Sequence, residues 1–338
     1  MPHSYLATGI RGICCGVLLA ACSAATGQGM GPESFGLPGY FGMSTPATTR
    51  QMGMGAPVAC LDGSQFGNPA LAAVRLSPDA SLRMVTTDPD RGPKIKSLLA
   101  NYTHPLNPGI DGLQATFLSL DSSSGTTLLP GIGPVPAALS EDALIVDYGR
   151  SVDEKLSVGL CILGFESSEF RLKSAAGPAL IAVDADADYG ARVGFAYEWI
   201  PGDFLGLTFS YAQHTVDATG LMLVGPARSV YHSTQFALGA SRHITPQVTA
   251  VAEFRRGKTA NGNRGSTSNG WHFGAEYAHP SSLCLRAGLA DESPTFGLGY
   301  EREGWRLDYA FIRDWNDDAV GALFGGSDTH SLQLSYAW

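Results

Sequence analysis

Long hydrophobic runs are missing from this chain. Apolar residues nowhere run together beyond Ile13 to Ala21, about half of the roughly 20 that a spanning helix needs. A helical membrane protein is therefore excluded, although 44% of the 338 residues are hydrophobic. Positive charge is scarce as well: 22 Lys and Arg stand against 31 Asp and Glu, a net charge of -9. Without a basic face, duplex nucleic acid is not an expected partner. Cysteines are few and scattered. Of the six, Cys14, Cys15 and Cys22 lie near the N-terminus, which leaves Cys60, Cys161 and Cys284 without a C-x-x-C or a zinc spacing, so neither a disulfide framework nor a metal site is expected. Catalytic signatures are missing too: there is no G-x-S-x-G, H-E-x-x-H, Walker-type loop or dinucleotide fingerprint. Gly131-Ile132-Gly133-Pro134 lacks the final spacing and the following helix, and reads as a turn. His214, His232, His243 and His272 are bases by type alone, with no spacing rule connecting them. The expectation is a non-enzyme with no cofactor.

What is present begins with a secretory pattern. Residues 1–28 hold no acid, one base (Arg11), the short apolar stretch, and then the small residues Ser23-Ala24-Ala25-Thr26. This is the shape of a cleavable signal peptide. Leu19-Ala20-Ala21-Cys22 also resembles a lipobox, in which Cys22 would be lipidated; cleavage near Ala25 or Gln28 is preferred, because nothing else in the chain requires an acyl anchor.

From about Ser81 onward, short segments alternate with period two between clusters of Gly, Pro, Asn and Asp, as strands and turns demand. Trp305, Leu307, Tyr309 and Phe311 alternate with Arg306, Asp308 and Ala310. Leu332, Leu334, Tyr336 and Trp338 alternate with Ser331, Gln333, Ser335 and Ala337. A soluble sandwich would turn the large residues inward; a transmembrane barrel would turn them out to lipid. Three features favour the barrel. Aromatics recur near strand ends, at Tyr197 with Trp199, Tyr211, Tyr277, Tyr300 and Tyr336 with Trp338, as interfacial girdles do. Gly and Ala crowd the opposite face, where a wall curves round a filled lumen. The chain ends on a strand whose last residue is Trp338; Tyr336 and Trp338 resemble the terminal aromatic signal read by barrel-assembly machinery. The fold expected is all-β, an antiparallel transmembrane barrel spanning residues 80–338. At roughly 18 residues per strand and connection it has about fourteen strands, with twelve and sixteen as neighbouring counts. Fifteen strand centres suggest themselves, of which the one round Phe170 is the weakest. Ser122 to Ser140, Ala175 to Ala187 and Thr259 to Asn269 read as large loops.

The polar face carries Glu198, Glu253, Arg255, Glu276, Arg286, Arg306 and Asp308. A charge facing lipid would cost about 2–4 kcal/mol at the midplane, so these side chains are expected to face the lumen, as a salt-bridge network or as a pore lining.

Residues 29–79 differ: they are rich in Gly, Met and Pro, with the run Thr49-Arg50-Gln51-Met52-Gly53-Met54-Gly55-Ala56-Pro57 and then Gly67-Asn68-Pro69-Ala70-Leu71. A Met-Gly stretch followed by Asn-Pro-Ala before the first long strands resembles outer-membrane proteins of the FadL-like fatty-acid transporter type and the related PorV-like proteins. Leu285-Arg286-Ala287-Gly288-Leu289, Gly297-Leu298-Gly299-Tyr300 and Trp305-Arg306-Leu307-Asp308-Tyr309 at the other end resemble them as well. The likeness covers residues 48 to 72 and 283 to 338. It implies an outer-membrane location, a plug or hatch formed by residues 29–79, and passive binding or passage of hydrophobic small molecules. Met52 and Met54, flexible among glycines, and Asn68, Pro69 and Ala70 would then be plug and ligand-binding residues. The alternatives are a PorV-like scaffold for secretion or surface attachment and a narrow general porin.

Overall fold

The computed structural model describes residues 48–61, 67–89, 94–122, 125–129, 133–173, 179–220, 227–261, 264–315 and 327–338. The expected signal peptide, Cys22 and the first part of the plug segment lie outside them.

The strands are β1 (Asp79–Pro89), β2 (Ile95–Asn107), β3 (Asp111–Ser122), β4 (Gly125–Leu129), β5 (Gly133–Ser151), β6 (Leu156–Lys173), β7 (Ala179–Ile200) and β8 (Asp203–Thr219). They continue with β9 (Ala227–Thr245), β10 (Val248–Asn261), β11 (Arg264–Ala278), β12 (Leu283–Ala290), β13 (Ser293–Arg302), β14 (Trp305–Trp315) and β15 (Ser327–Ala337). Each pairs antiparallel with its neighbour, and β1 pairs with β15 from Asp79↔Ala337 to Pro89↔Ser327, so the sheet closes on itself. The short β4 is a side arm on the start of β5, while β3 pairs directly with β5. The ring therefore has fourteen strands and no free edge, which removes the unpaired N–H and C=O groups that lipid would not tolerate. The surplus fifteenth centre has a simple origin: Val158 and Phe170 lie on one long strand, β6.

The alternation decides which way the wall faces. Trp305 is 52% exposed and Leu307 47%, whereas Asp308 between Leu307 and Tyr309 is 2% exposed. The same holds round the ring, with Leu82, Leu98, Phe117, Leu160, Phe195, Leu238, Phe273 and Leu334 all outward. No soluble monomer presents so continuous an apolar band. Aromatic residues border it at two levels. Towards one end are Tyr102, Trp338, Tyr336 and Trp305, in ring contact in series, the last pair tilted; towards the other are Tyr189, Tyr211 and His232. On β7 the two levels, Tyr189 and Tyr197, bound nine residues, about the length a tilted strand needs to span. Cysteine replacements at Leu307 and Tyr309 should react with a membrane-confined maleimide, and one at Asp308 should not. Labelling of Asp308→Cys instead would mean an inverted wall.

The chain enters and leaves the barrel at the end with the short turns. There, Glu303 and Gly304 both take positive φ (53° and 82°), the two-residue hairpin geometry that matches strand twist. A side chain at Gly304 would also strike the Ala337 carbonyl. At the opposite end the strands are longer and uneven: β7 has 22 residues and β12 has 8. Spanning takes only about 9–11 residues, so β5 to β9 stand well clear of the bilayer. The three expected loops are corrected accordingly. Ser122 to Ser140 contains β4 and the start of β5; β7 begins at Ala179; and β10 and β11 run through most of Thr259 to Asn269. Their hydrogen-bond ladders persist beyond the membrane, where the outer face meets water and turn-forming residues are tolerated, while inward Val135, Ala137 and Leu139 on β5 and Ile181 and Val183 on β7 stay buried.

Candidate functional site: the lumen and its plug

The described part of the segment before β1 lies inside the barrel, pressed against the wall. Its first piece is a short helix, Thr49–Gly53, capped by the Thr48 side chain accepting from Gln51 N. This helix packs on β12 to β15. The chain then follows the inner wall past β11, β9, β8 and β7 and closes with a 3-10 turn, Pro69–Ala72, on β3 and β5 to β7.

Glycines on the inner wall make this course possible. Gly112, Gly149, Gly159 and Gly194 sit directly opposite one another on four successive strands. A Cβ on any of them would run into the backbone or side chains of Asn68 to Ala73. Gly206, opposite Gly239, and Gly274, opposite Gly288, continue the seat beneath Ala59, Cys60 and Met54. The plug backbone thus lies directly on the wall backbone.

Asn68-Pro69-Ala70 has a local explanation. The Asn68 Oδ1 accepts from Ala70 N at 3.1 Å, capping the turn, while its Nδ2 donates to Ala59 O at 2.9 Å and Phe195 O at 2.7 Å. Asn is a favoured cap, and Pro fits the first turn because no N–H is needed there. Ala70 is small enough to lie against Gly159. Met52 and Met54 are fully buried: Met52 against Ala310 and Ile312, and Met54 against Cys60, Leu61 and Val251. Both anchor the plug and present no surface to a ligand in this conformation.

Six of the seven wall charges named from the sequence meet the plug or each other. Glu253 accepts from Val58 N at 2.8 Å and Ala59 N at 2.6 Å, and Arg255 donates to Ala56 O at 2.7 Å and to Glu253 at 2.9 Å. The plug's Arg50 donates to Glu276 at 2.7 Å. Glu276 also takes Arg286 Nε at 2.6 Å; Arg286 reaches Asp308 at 2.7 Å, and Asp308 holds Arg306 at 2.7 Å. Glu198 is the exception. It sits at the rim and accepts from Gly202 N at 2.6 Å, so it closes the β7–β8 turn, because β7 is irregular between Glu198 and Ile200.

Arg286 has no exposed side-chain surface, and a buried charge that loses a partner costs about 3–5 kcal/mol. Glu276→Leu should therefore lower the unfolding free energy of the barrel in urea by about 3 kcal/mol, the lower figure because Asp308 remains. An unchanged urea midpoint would show the ladder to be energetically idle.

Above the plug, the lumen is lined unevenly. On β1 to β6 the inward Val85, Leu99, Leu118, Ala143, Ile145 and Cys161 form one apolar cluster, with Leu163 packed on it. Water-filled barrels line their interiors with polar groups; this arc does not. Leu163 also marks an interruption in the wall. The β6–β7 ladder runs to Ile162↔Ala191 and resumes at Ser167↔Asp186 in the same register, so residues 163–166 and 187–190 are unpaired across the gap. Each strand bulges there against its other neighbour, between Leu144 and Ile145 on the β5 side and between Ala187 and Tyr189 on the β8 side. Gly164 and Gly190 lie in the gap, and Ile162, Phe165 and Tyr189 are exposed on its outer side.

The four histidines stand apart in function as in sequence. His214 is buried beside Glu166 at 3.5 Å, His232 faces outward and bonds Tyr211, His243 pairs with Asp203 at the rim at 2.7 Å, and His272 bonds Gly55 O at 2.7 Å. Tyr336 and Trp338 belong to the girdle nearest the short turns. Several plug contacts went unread in the sequence, among them Thr295 accepting from Gly55 N at 2.9 Å and Gln333 accepting from Thr49 N at 3.0 Å. Arg192 donates to Gly67 O at 2.8 Å, with no signal to single it out; Arg50 is the only Lys or Arg between Arg11 and Arg75, which could have marked it. Cys60, Cys161 and Cys284 are free thiols.

No family model and no curated protein matches the chain. Solved structures do. The Ralstonia pickettii toluene transporter TbuX aligns with a TM-score of 0.59 at 12% identity, covering 87% of this chain and 98% of that one. The Pseudomonas putida toluene transporter TodX gives 0.59 at 14%, covering 88% and 99%. A Pseudomonas aeruginosa FadL homologue gives 0.57 at 11%, also covering 88% and 99%. At these identities the likeness establishes the fold: a fourteen-stranded barrel of the FadL type.

Proposed function

We propose that this barrel, which shares its fold with hydrocarbon transporters, resides in the bacterial outer membrane and binds and passes small hydrophobic molecules without catalysis or energy coupling. The observation that carries the reading is the interruption of the β6–β7 ladder between Ile162↔Ala191 and Ser167↔Asp186, bordered by Ile162, Leu163 and Phe165 and set beside the packed apolar cluster of Val85, Leu99, Leu118, Ala143, Ile145 and Cys161. A general porin, whose solutes cross through water, has no use for an opening toward lipid, whereas an apolar solute that passes through it gains about 25 cal/mol for each Å² taken out of water. A signal peptide and the barrel-assembly machinery deliver the chain. The solute enters from the far side and leaves through the β6–β7 gap into lipid, never crossing the charged mouth at the near end.

The test is uptake of radiolabelled toluene by bacterial cells making the chain. They should accumulate it faster than cells without it. A Leu163→Cys, Gly190→Cys pair, oxidised to staple the gap, should return uptake to background, and reduction should restore it. Background uptake by the unstapled chain across a range of apolar probes would overturn the transporter reading in favour of a scaffold.

A further inference from the structure

The gap between β6 and β7 is open in its backbone and closed by side chains. A Cβ added at Gly190 would stand 2.9 Å from Leu163 Cδ2 and 3.0 Å from Leu163 Cβ. Leu163 therefore crosses from β6 and rests on the bare backbone of β7. Its other side packs on the apolar cluster of Val85, Leu99 and their neighbours, so one half-buried side chain serves both edges of the opening.

A second contact spans the same place. Ser167 stands opposite Asp186, which sets Glu166 opposite Ala187, and Ala187 is paired in turn with His214 on β8. Ala187 is small, and the side chains on either side of it meet over it: His214 Nε2 lies 3.5 Å from Glu166 Oε2, at 1% and 0% exposure. The pair joins β6 to β8 across the one strand whose backbone does not hold β6 there. At this length it is at the weak end of hydrogen bonding, and rotation of either side chain undoes it.

Widening this opening breaks no ladder hydrogen bond, because the described residues 163–166 and 187–190 make none across it. Parting any intact pair of strands in the wall would leave N–H and C=O groups unpaired against lipid. The place is also the right one for an exit: Tyr189 belongs to the far aromatic girdle, so the gap meets the upper edge of the lipid band. We infer that the gap is a gate, shut in this conformation, with Leu163 as its leaf, Gly190 as the seat and the Glu166–His214 pair as its latch. Solutes pass when the leaf swings off Gly190 and the latch parts. This rests on the exit into lipid proposed above and supplies its control.

Native thiols report the gate without any solute. Cys161 lies two residues from Leu163 on β6, inward and 4% exposed, while Cys60 is fully buried between the plug and Val251. A membrane-confined maleimide reaches Cys161 from lipid past Leu163, and peptide mass spectrometry on the intact chain in nanodiscs tells the two thiols apart. Leu163→Ala and His214→Ala should each speed labelling of Cys161 several-fold and leave Cys60 unlabelled. His214→Gln, whose amide can still donate to Glu166, should label like the parent. Parental rates in both alanine variants overturn the gate, as does a parent whose Cys161 reacts as fast as a lipid-facing Leu307→Cys. Labelling of Cys60 together with Cys161 overturns it too, since the whole barrel would then have loosened. Faster Cys161 labelling with toluene uptake at background sustains the gate and removes the transporter reading, whereas toluene uptake by the parent with labelling unchanged in every variant removes the gate alone.

Discussion

Gly194→Leu and Gly206→Leu barrels should conduct several times more current in planar bilayers than the parent, while still shifting on unheated gels as folded barrels do. A side chain at Gly194 overlaps Asn68 Oδ1 and the Pro69 ring, and one at Gly206 overlaps the Ala59 carbonyl. Both glycines face the lumen, so lipid contacts and the strand ladders are untouched. The plug, held by Asn68, Glu253 and Arg255, has to lift from the wall. A barrel of fourteen strands is wide enough to leave an aqueous passage once emptied. Removing Gly31 to Pro57 while keeping Asn68-Pro69-Ala70 should give a comparable current and abolish saturable binding of apolar probes. Parental conductance in both glycine variants would mean that the plug does not block the lumen.

Deletion of Trp338 should nearly empty the outer membrane of folded protein in cells, yet barely change the stability of the barrel refolded in detergent. In the folded state Trp338 makes two ring contacts, 6.1 Å to Tyr102 and 5.8 Å to Tyr336, and its N–H reaches Pro78 O at 3.2 Å. Aromatic pairs contribute about 0.5–1.5 kcal/mol each beyond area burial, so the equilibrium loss is small. A large cellular effect then reports recognition of the terminal residue during assembly. Normal membrane levels of the deletion would remove that role from this end of the chain.

The wall was legible in the sequence where two solvents face it. Lipid outside and a filled lumen inside impose the alternation seen at Trp305 to Phe311, and every spanning strand shows it. Above the bilayer the outer face of a strand is wet, the lipid half of the constraint lapses, and the extensions of β7, β10 and β11 look like loops, although their backbones stay paired and, on β7, Ile181, Val183 and Ala185 stay buried inside. The inward charges were legible for the same reason, as groups that lipid would reject. Their partners were not, because Arg50 and Glu276 are 226 residues apart and nothing local ties them. The glycines of the wall were visible as a composition and suggested curvature. Their role as a seat depends on register, Gly112 to Gly149 to Gly159 to Gly194, and a single strand carries no trace of it.

Closure between β1 and β15 also fixes an order of events in time. Asp79 must find Ala337, nearly the full length of the barrel away in sequence, and pairings of such separation form late because their loop entropy must be met first. The plug precedes β1 in the chain and occupies the interior of the ring that this last pairing completes. Packed there first, it would give the closing strands a surface to assemble on; packed later, it would have to enter by the near mouth and form its buried contacts, Val58 to Glu253 and Arg255 to Ala56, inside a closed wall.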